Sequence, residues 1–204
     1  MIAGLILAAG ESSRMGRDKA LLDYRGRTFL DTIIHTLRDA GIERIAAVLG
    51  QHAEEIQKAT NLEGVEVVIN SKYLRGQTSS LQCGLRALER PDLEAVVLCL
   101  VDHPAVSATT VQKLVESFGQ SHSPVVIPTH QSKRGHPVVI SAAVFPELLS
   151  LGHDQGANAV IRDYRNQTLF VEVDDKGILL DVDDPETYRR VAGNGSGDGS
   201  DHSP

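Results

Sequence analysis

The chain opens MIAGLILAAGESSRMGRDK, residues 1–19. Met1 to Leu7 is apolar throughout, without the alternation of a strand that has one face in water. Such a run reads as a strand buried on both faces. It stops at Gly10, and a polar loop follows that carries Arg14, Arg17 and Lys19. Further β-rich runs lie at 44–49, 65–69 and 95–101. Helical patterns separate them. Residues 29–40 put Leu30, Ile33, Ile34 and Leu37 on one face before Gly41, and 53–59 is shorter and polar. Leu81, Leu85 and Leu88 form a stripe closed by Pro91. Val111, Leu114, Val115 and Phe118 form another, with Ser107 as N-cap and Gly119 as stop. Strand alternating with helix predicts βαβ units, hence a three-layer α/β/α domain around a mostly parallel, mixed sheet.

Beyond residue 121 the pattern loosens. Residues 124–128 and 137–140 read as strands separated by a polar loop, 129–136. Residues 144–151 and 157–164 read as helical, and 168–173 and 178–182 as extended. Residues 193–204 are almost all Gly, Ser, Asp and Asn, with one His and a final Pro, so a disordered tail is expected after a domain at 1–192.

At 204 residues the chain has room for one well-packed domain, or at most two small ones. With four Phe, four Tyr and no Trp, its core must be aliphatic. A net charge of −7 excludes a general electrostatic grip on nucleic acid or an anionic membrane. Any bound anion must be held by a local cluster of cations and amides. Cys83 and Cys99 sit in apolar stretches, with no second Cys or His at metal-ligand spacing, and read as two buried free thiols. The first residues lack a basic leader and a cleavage site. They are also too few to span a bilayer, which takes about 20, so a soluble, cytoplasmic protein is expected.

In doubly wound sheets ligands gather beyond the carboxyl ends of the strands, which makes the loop after residue 8 a candidate site. A P-loop needs Gly-x4-Gly-Lys-Ser/Thr, but Gly10 and Gly16 are separated by five residues and followed by Arg17. A dinucleotide fingerprint fails at Gly10-Glu11-Ser12. What remains is another phosphate cradle. Ala8, Ala9 and Gly10 admit a close approach of backbone to base or sugar. Ser12, Ser13 and Gly16 offer amides, and Arg14 and Lys19 offset phosphate charge. The plain alternative is a solvated basic loop.

Four other stretches carry polar groups in suggestive places. Residues 74–81, Leu-Arg-Gly-Gln-Thr-Ser-Ser-Leu, open a helix and offer its N-terminus with hydroxyl and amide groups, or form a simple capping segment. Val101-Asp102-His103-Pro104 ends a strand. Its carboxylate can face a metal, and Mg²⁺ takes one or two carboxylates with phosphate and water; otherwise it opens a turn. In Leu180-Asp181-Val182-Asp183-Asp184-Pro185-Glu186, Asp181 and Asp183 share a face if the segment is extended, while Asp184 caps a helix. Arg134-Gly135-His136-Pro137-Val138 and Asp154-Gln155-Gly156-Ala157 complete the set, with surface packing and helix capping as their plain readings.

Leu7-Ala8-Ala9-Gly10-x-Ser12-x-Arg14-Met15-Gly16-x-x-Lys19 resembles the signature of nucleotidyltransferases with a glycosyltransferase-A-like fold, and within them the molybdenum-cofactor cytidylyltransferase branch. The resemblance implies that Leu7 to Lys19 wrap the triphosphate of CTP, with Arg14 and Lys19 on its phosphates. Ala8-Ala9-Gly10 then favours a pyrimidine, where guanylyltransferase relatives typically carry Ala-Gly-Gly. Gly76, Gln77 and Ser80 become candidates for reading cytosine. Asp102 matches the family's Mg²⁺-binding aspartate and Asp183 its second metal carboxylate, Asp181 being the weaker match; Mn²⁺ is an alternative ion. His103 stands where methionine or glutamine is often found and is read as substrate-side variation, not as a metal ligand. Arg134, His136 and Asp154 match motifs on the side that receives the pterin, with Lys133 and His130 adding positive charge there.

The implied reaction moves CMP from CTP to the terminal phosphate of a molybdopterin-type acceptor and releases pyrophosphate. Arg14, Lys19 and Asp102 carry the catalysis by alignment and charge neutralisation. A molybdenum hydroxylase or its chaperone is the implied transient partner. The alternatives are a transferase using GTP or acting on a sugar phosphate, and a carrier that delivers cofactor without chemistry.

Overall fold

The computed structural model describes residues 1–10, 16–152 and 155–193. In chain order they form β1 (Ile2–Ala8), a small hairpin of β2 (Asp23–Tyr24) and β3 (Arg27–Thr28), α1 (Phe29–Asp39), β4 (Ile45–Leu49), α2 (Ala53–Ala59), β5 (Val65–Ile69) and α3 (Gln77–Leu88). There follow β6 (Ala95–Leu100), α4 (Ala108–Ser121), β7 (Val125–His130), β8 (Lys133–Arg134), β9 (Val138–Ser141), α5 (Phe145–Ser150), α6 (Ala157–Asp163), β10 (Leu169–Glu172) and α7 (Pro185–Gly193).

The eight-stranded sheet runs β10-β7-β9-β6-β1-β4-β5, with β8 paired to β7. β1 lies parallel to β4 and β6, β4 to β5, and β10 to β7; β9 enters antiparallel between β6 and β7. The chain leaves β1 for β4 and β5 on one side and returns to β6 on the other. The carboxyl ends of β1 and β6 therefore flank a topological switch point, where a crevice opens.

Alternate residues of β1 explain its unbroken apolar run. Ile6 and Ala8 belong to the core under α1 and α4, whereas Leu5, Leu7 and Ala9 belong to the core under α3 and α5. Phe29, Leu30, Ile34 and Leu37 fill the first core, and Leu81, Leu85, Leu88 and Leu148 the second. Burying each such side chain contributes roughly 1.5–3 kcal/mol. The layers are three, as expected.

Four expectations need correction. Gly119 does not end α4, which runs two residues further to Ser121 and is capped by His122 in the left-handed region at φ 50°. An exposed glycine lowers helix propensity without breaking the ladder. Residues 129–136 are not simply a loop: Thr129 pairs with Arg134 and His130 with Lys133. Gln131 and Ser132 make the turn at φ 50° and 65°, a conformation usually signalled by Asn-Gly. Residues 178–182 are not a strand, because Asp175 caps a 3-10 turn at Lys176–Leu179. Cys99 is buried but Cys83 only half so, and both are free. Gly193 still belongs to α7, and residues 194–204 lie outside the described ones. No helix among the described residues is long and apolar enough to cross a membrane.

Candidate active site

Lys19 opens a short 3-10 turn, Lys19–Leu21, capped by Asp18, whose Oδ1 accepts from the Ala20 amide at 2.9 Å. Ala20 and Leu21 are buried and anchor the turn. The ammonium is thereby carried over the end of β6, where Nζ lies 3.4 Å from Asp102 Oδ2 and donates to Asp183 Oδ1.

Asp102 leaves the sheet just after β6. The Val101 amide still donates to the Leu7 carbonyl at 3.1 Å, and the Asp102 carbonyl accepts from the Val182 amide at 3.0 Å. That second bond docks the acidic segment 181–184 beside Asp102. Two glycines let the segment's approach pass so close. A Cβ on Gly135 would lie 2.2 Å from the Ile178 carbonyl oxygen, and one on Gly177 2.2 Å from that of Ala105. Asp175 ties the same turn to α4, accepting from the Ser107 amide at 2.9 Å, Thr110 Oγ1 at 2.7 Å and the Gly177 amide at 2.8 Å. Asp184 caps α7, accepting from the amides of Glu186 and Thr187 at 2.8 and 2.9 Å.

Asp102 and Asp183 thus face the ammonium of Lys19, and Asp181 lies near enough to feel the charges of all three. Burial, and then the charges of Asp102 and Asp183, push Asp181 up to about 6. Burial alone would lower Lys19, but its bond to Asp183 and the charge of Asp102 outweigh it and hold the ammonium above its usual range. One ligand atom each from Asp102, His103 and Asp181 lie within 4.8 Å of one another. Asp102 Oδ1 is buried and has no hydrogen-bond partner among the described residues. Surplus carboxylate charge and an orphaned oxygen are what a divalent cation would satisfy, so these residues fit one.

Beside the cluster a cleft of about 930 Å³ opens on the α3 side of the sheet. Leu98, Leu100, Ile127 and Val138 floor it, Gly76, Gln77 and Thr78 form one wall, and Ala157 and Ile161 another. Arg75, Arg134, Arg162 and Arg165 all line it, and no Asp or Glu among the described residues does. The Arg134 guanidinium lies 4.6 Å over the Phe170 ring. In a chain of net charge −7 this is a local concentration of cations suited to an anionic ligand with an apolar body. His136 joins the two regions. It lines the cleft, and its ring lies 5.1 Å from that of His103. Burial, then His103, lower His136 to about 4, so it is neutral near pH 7.

The structure brings Leu7, Gly76, Gln77, Arg134 and His136 to the cleft, and Lys19, Asp102 and Asp183 together next to it. Ala8, the last residue of β1, and Ala9 after it are buried on opposite faces of the sheet, Gly10 is exposed beyond them, and Gly16 is exposed with φ 64°. Ser80 turns inward at 4% exposure, its hydroxyl accepting from Asn70 Nδ2 at 3.0 Å. His130 is buried with Nδ1 2.9 Å from the Val173 carbonyl, so it braces the segment after β10 and does not line the cleft; Lys133 is exposed on β8. Ser12, Ser13, Arg14 and Asp154 lie outside the described residues. Sequence reasoning did not single out Thr78, Arg75, Arg162, Arg165 or Phe170. Thr78 Oγ1 donates to the Gln155 carbonyl at 2.8 Å and closes the cleft wall.

Residues 4–168 match the MobA-like NTP transferase domain. The chain belongs to that family. It is a nucleotidyltransferase with the fold of the nucleotide-diphospho-sugar transferases. It is 32% identical to nicotine blue oxidoreductase of Paenarthrobacter nicotinovorans over 93% of this chain and 96% of that one. It is 23% identical to the molybdenum cofactor cytidylyltransferase of Escherichia coli K12, covering 90% and 92%. Rv0371c from Mycobacterium tuberculosis H37Rv superposes with a TM-score of 0.84 at 33% identity, covering 94% and 97%. A second structure of Rv0371c, in complex with manganese, superposes with a TM-score of 0.79 at 31% identity, again covering 94% and 97%.

Proposed function

We propose that this nucleotidyltransferase moves CMP from CTP to the terminal phosphate of a molybdopterin-type acceptor. The observation that carries the reading is the adjacency of two oppositely charged regions. Lys19, from the loop after β1, meets the carboxylates of Asp102 and Asp183, and beside them lies the arginine-lined cleft. An acceptor phosphate oxygen attacks the α-phosphorus, the bond to the bridging oxygen breaks, and pyrophosphate leaves with the electron pair. A phosphate oxygen needs no strong base, so the chain's work is alignment and charge offset. Lys19 neutralises charge building toward the leaving pyrophosphate, Arg14 being assigned the same task. Leu7 to Gly10 with Gly76 and Gln77 cradle the nucleotide, and Arg134 and His136, with Asp154, receive the acceptor. A divalent cation held at Asp102 with its neighbouring carboxylate would polarise the α-phosphate. The name of the Escherichia coli relative supports both the acceptor and the base.

The test is a panel of CTP, GTP and ATP with Mg²⁺ or Mn²⁺ and a molybdopterin-type acceptor, reading pyrophosphate. CTP is expected to lead clearly; a clear lead for GTP would overturn the assignment built on Ala8-Ala9. The first relative's name raises a redox reading. Reduction of nicotine blue by an added two-electron donor, with no pyrophosphate released in the panel, would favour it.

A further inference from the structure

His103 was read from the sequence as facing substrate, yet its ring is turned to the carboxylate cluster. Its side chain is 10% exposed, and Nε2 lies 3.8 Å from Asp102 Oδ1. That separation is too long for a hydrogen bond. Asp102 Oδ1 is buried and finds no other partner among the described residues, although an orphaned buried carboxylate oxygen is costly. Asp181 completes the group, the three donor atoms lying within 4.8 Å of one another. Oxygen and nitrogen ligands at about 2.0–2.2 Å from one ion sit roughly 3 Å apart, so a small closing of side-chain torsions brings the three onto a common cation. The backbone is fixed for it: the His103 amide donates to the Leu100 carbonyl at 3.1 Å, and the Asp102 carbonyl holds Val182. Asp183, which the sequence favoured as second carboxylate, is instead engaged by Lys19.

The donor chemistry decides which ion suits. Mg²⁺ prefers oxygen and keeps its water, whereas imidazole suits first-row transition ions, whose affinity for nitrogen rises from Mn²⁺ toward Zn²⁺. We propose that Asp102, His103 and Asp181 form a three-ligand centre in which the His103 imidazole binds the cation directly. The centre therefore selects a transition divalent ion such as Mn²⁺ over Mg²⁺. The inference deepens the nucleotidyl-transfer reading and rests on it for what the ion does, but its location is tested without nucleotide or acceptor.

The experiment titrates the full chain with Mn²⁺ alone. Free ion is followed by electron paramagnetic resonance, and ligand nitrogen by pulsed detection of ¹⁴N coupling. Expected are one tight site per chain with imidazole ¹⁴N coupling, and in His103→Gln a loss of that coupling with Mn²⁺ binding weakened by about tenfold or more. Mg²⁺ binding should change little. Asp181→Asn should weaken Mn²⁺ binding while keeping the ¹⁴N signal, which preserves the test if His103→Gln does not fold. Bound Mn²⁺ without ¹⁴N coupling, unchanged affinity in His103→Gln, or no Mn²⁺ site in the protein alone would each overturn the proposal. A failed nucleotide panel would overturn the transfer reading and leave this one standing.

Discussion

The carboxylate cluster and the arginine-lined cleft share one edge of the sheet and are built in opposite ways. In the cluster short side chains are fixed by backbone: Val182 is bonded to Asp102, and Gly135 and Gly177 press the acidic segment against the strand ends. In the cleft long arginines surround an apolar floor. Short acids on a braced backbone hold a reacting centre still, as alignment catalysis requires. Long cations on a wide cleft suit the binding of a large anion. His136, half-buried and neutral, stands between them.

Replacing the cluster should therefore cost turnover, and replacing the cleft should cost acceptor binding. The largest effect is expected for Asp102→Ala, with kcat down by at least about a thousandfold and an unchanged melting temperature and circular dichroism. Lys19→Met comes next, lowering kcat by about a hundredfold in steady-state pyrophosphate assays while acceptor KM stays nearly constant. Arg162→Ala and Arg165→Ala should invert that pattern, each raising acceptor KM by about tenfold with kcat and nucleotide KM close to wild type. If the arginine variants lose kcat and the lysine variant loses acceptor affinity, the division between the two regions is drawn in the wrong place.

The same contrast governs what could be read from the chain. Periodicity placed the Lys19 loop and Asp102 at strand ends, but it was the resemblance of their motifs to one family that joined them to the 181–184 acids, which follow a 3-10 turn and not the extended run expected there. Arg162 and Arg165 belong to a helix and the turn after it whose basic residues look like any solvated face. Only the packing of α6 across the sheet brings them to the cleft. Ser80 carried a suggestive neighbourhood, but helix phase turned it toward Asn70. The β7–β8 hairpin was hidden because Gln131-Ser132 carries no glycine at a turn that has positive φ twice.

The smallest expected effect concerns the brace beneath the cluster. Asp175→Ala removes an acceptor shared by Ser107, Thr110 and Gly177, and should lower stability by about 1–3 kcal/mol in chemical denaturation. Burial would raise the Asp175 carboxyl, but these donors together hold it below its ordinary value of 3.8. Its folded value lies under its unfolded one, so the contribution is full above that ordinary value and fades as pH falls through the folded one. The gap between wild type and Asp175→Ala should narrow below about pH 4.

If the cluster and the cleft serve the two halves of one transfer, the fate of label from [α-³²P]CTP in the presence of Mn²⁺ and a molybdopterin-type acceptor will show it. The label should appear in a dinucleotide product, in step with unlabelled pyrophosphate, and Asp102→Ala should abolish both. Acceptor consumed while the label stays in CTP, or label released only as free CMP, would contradict it.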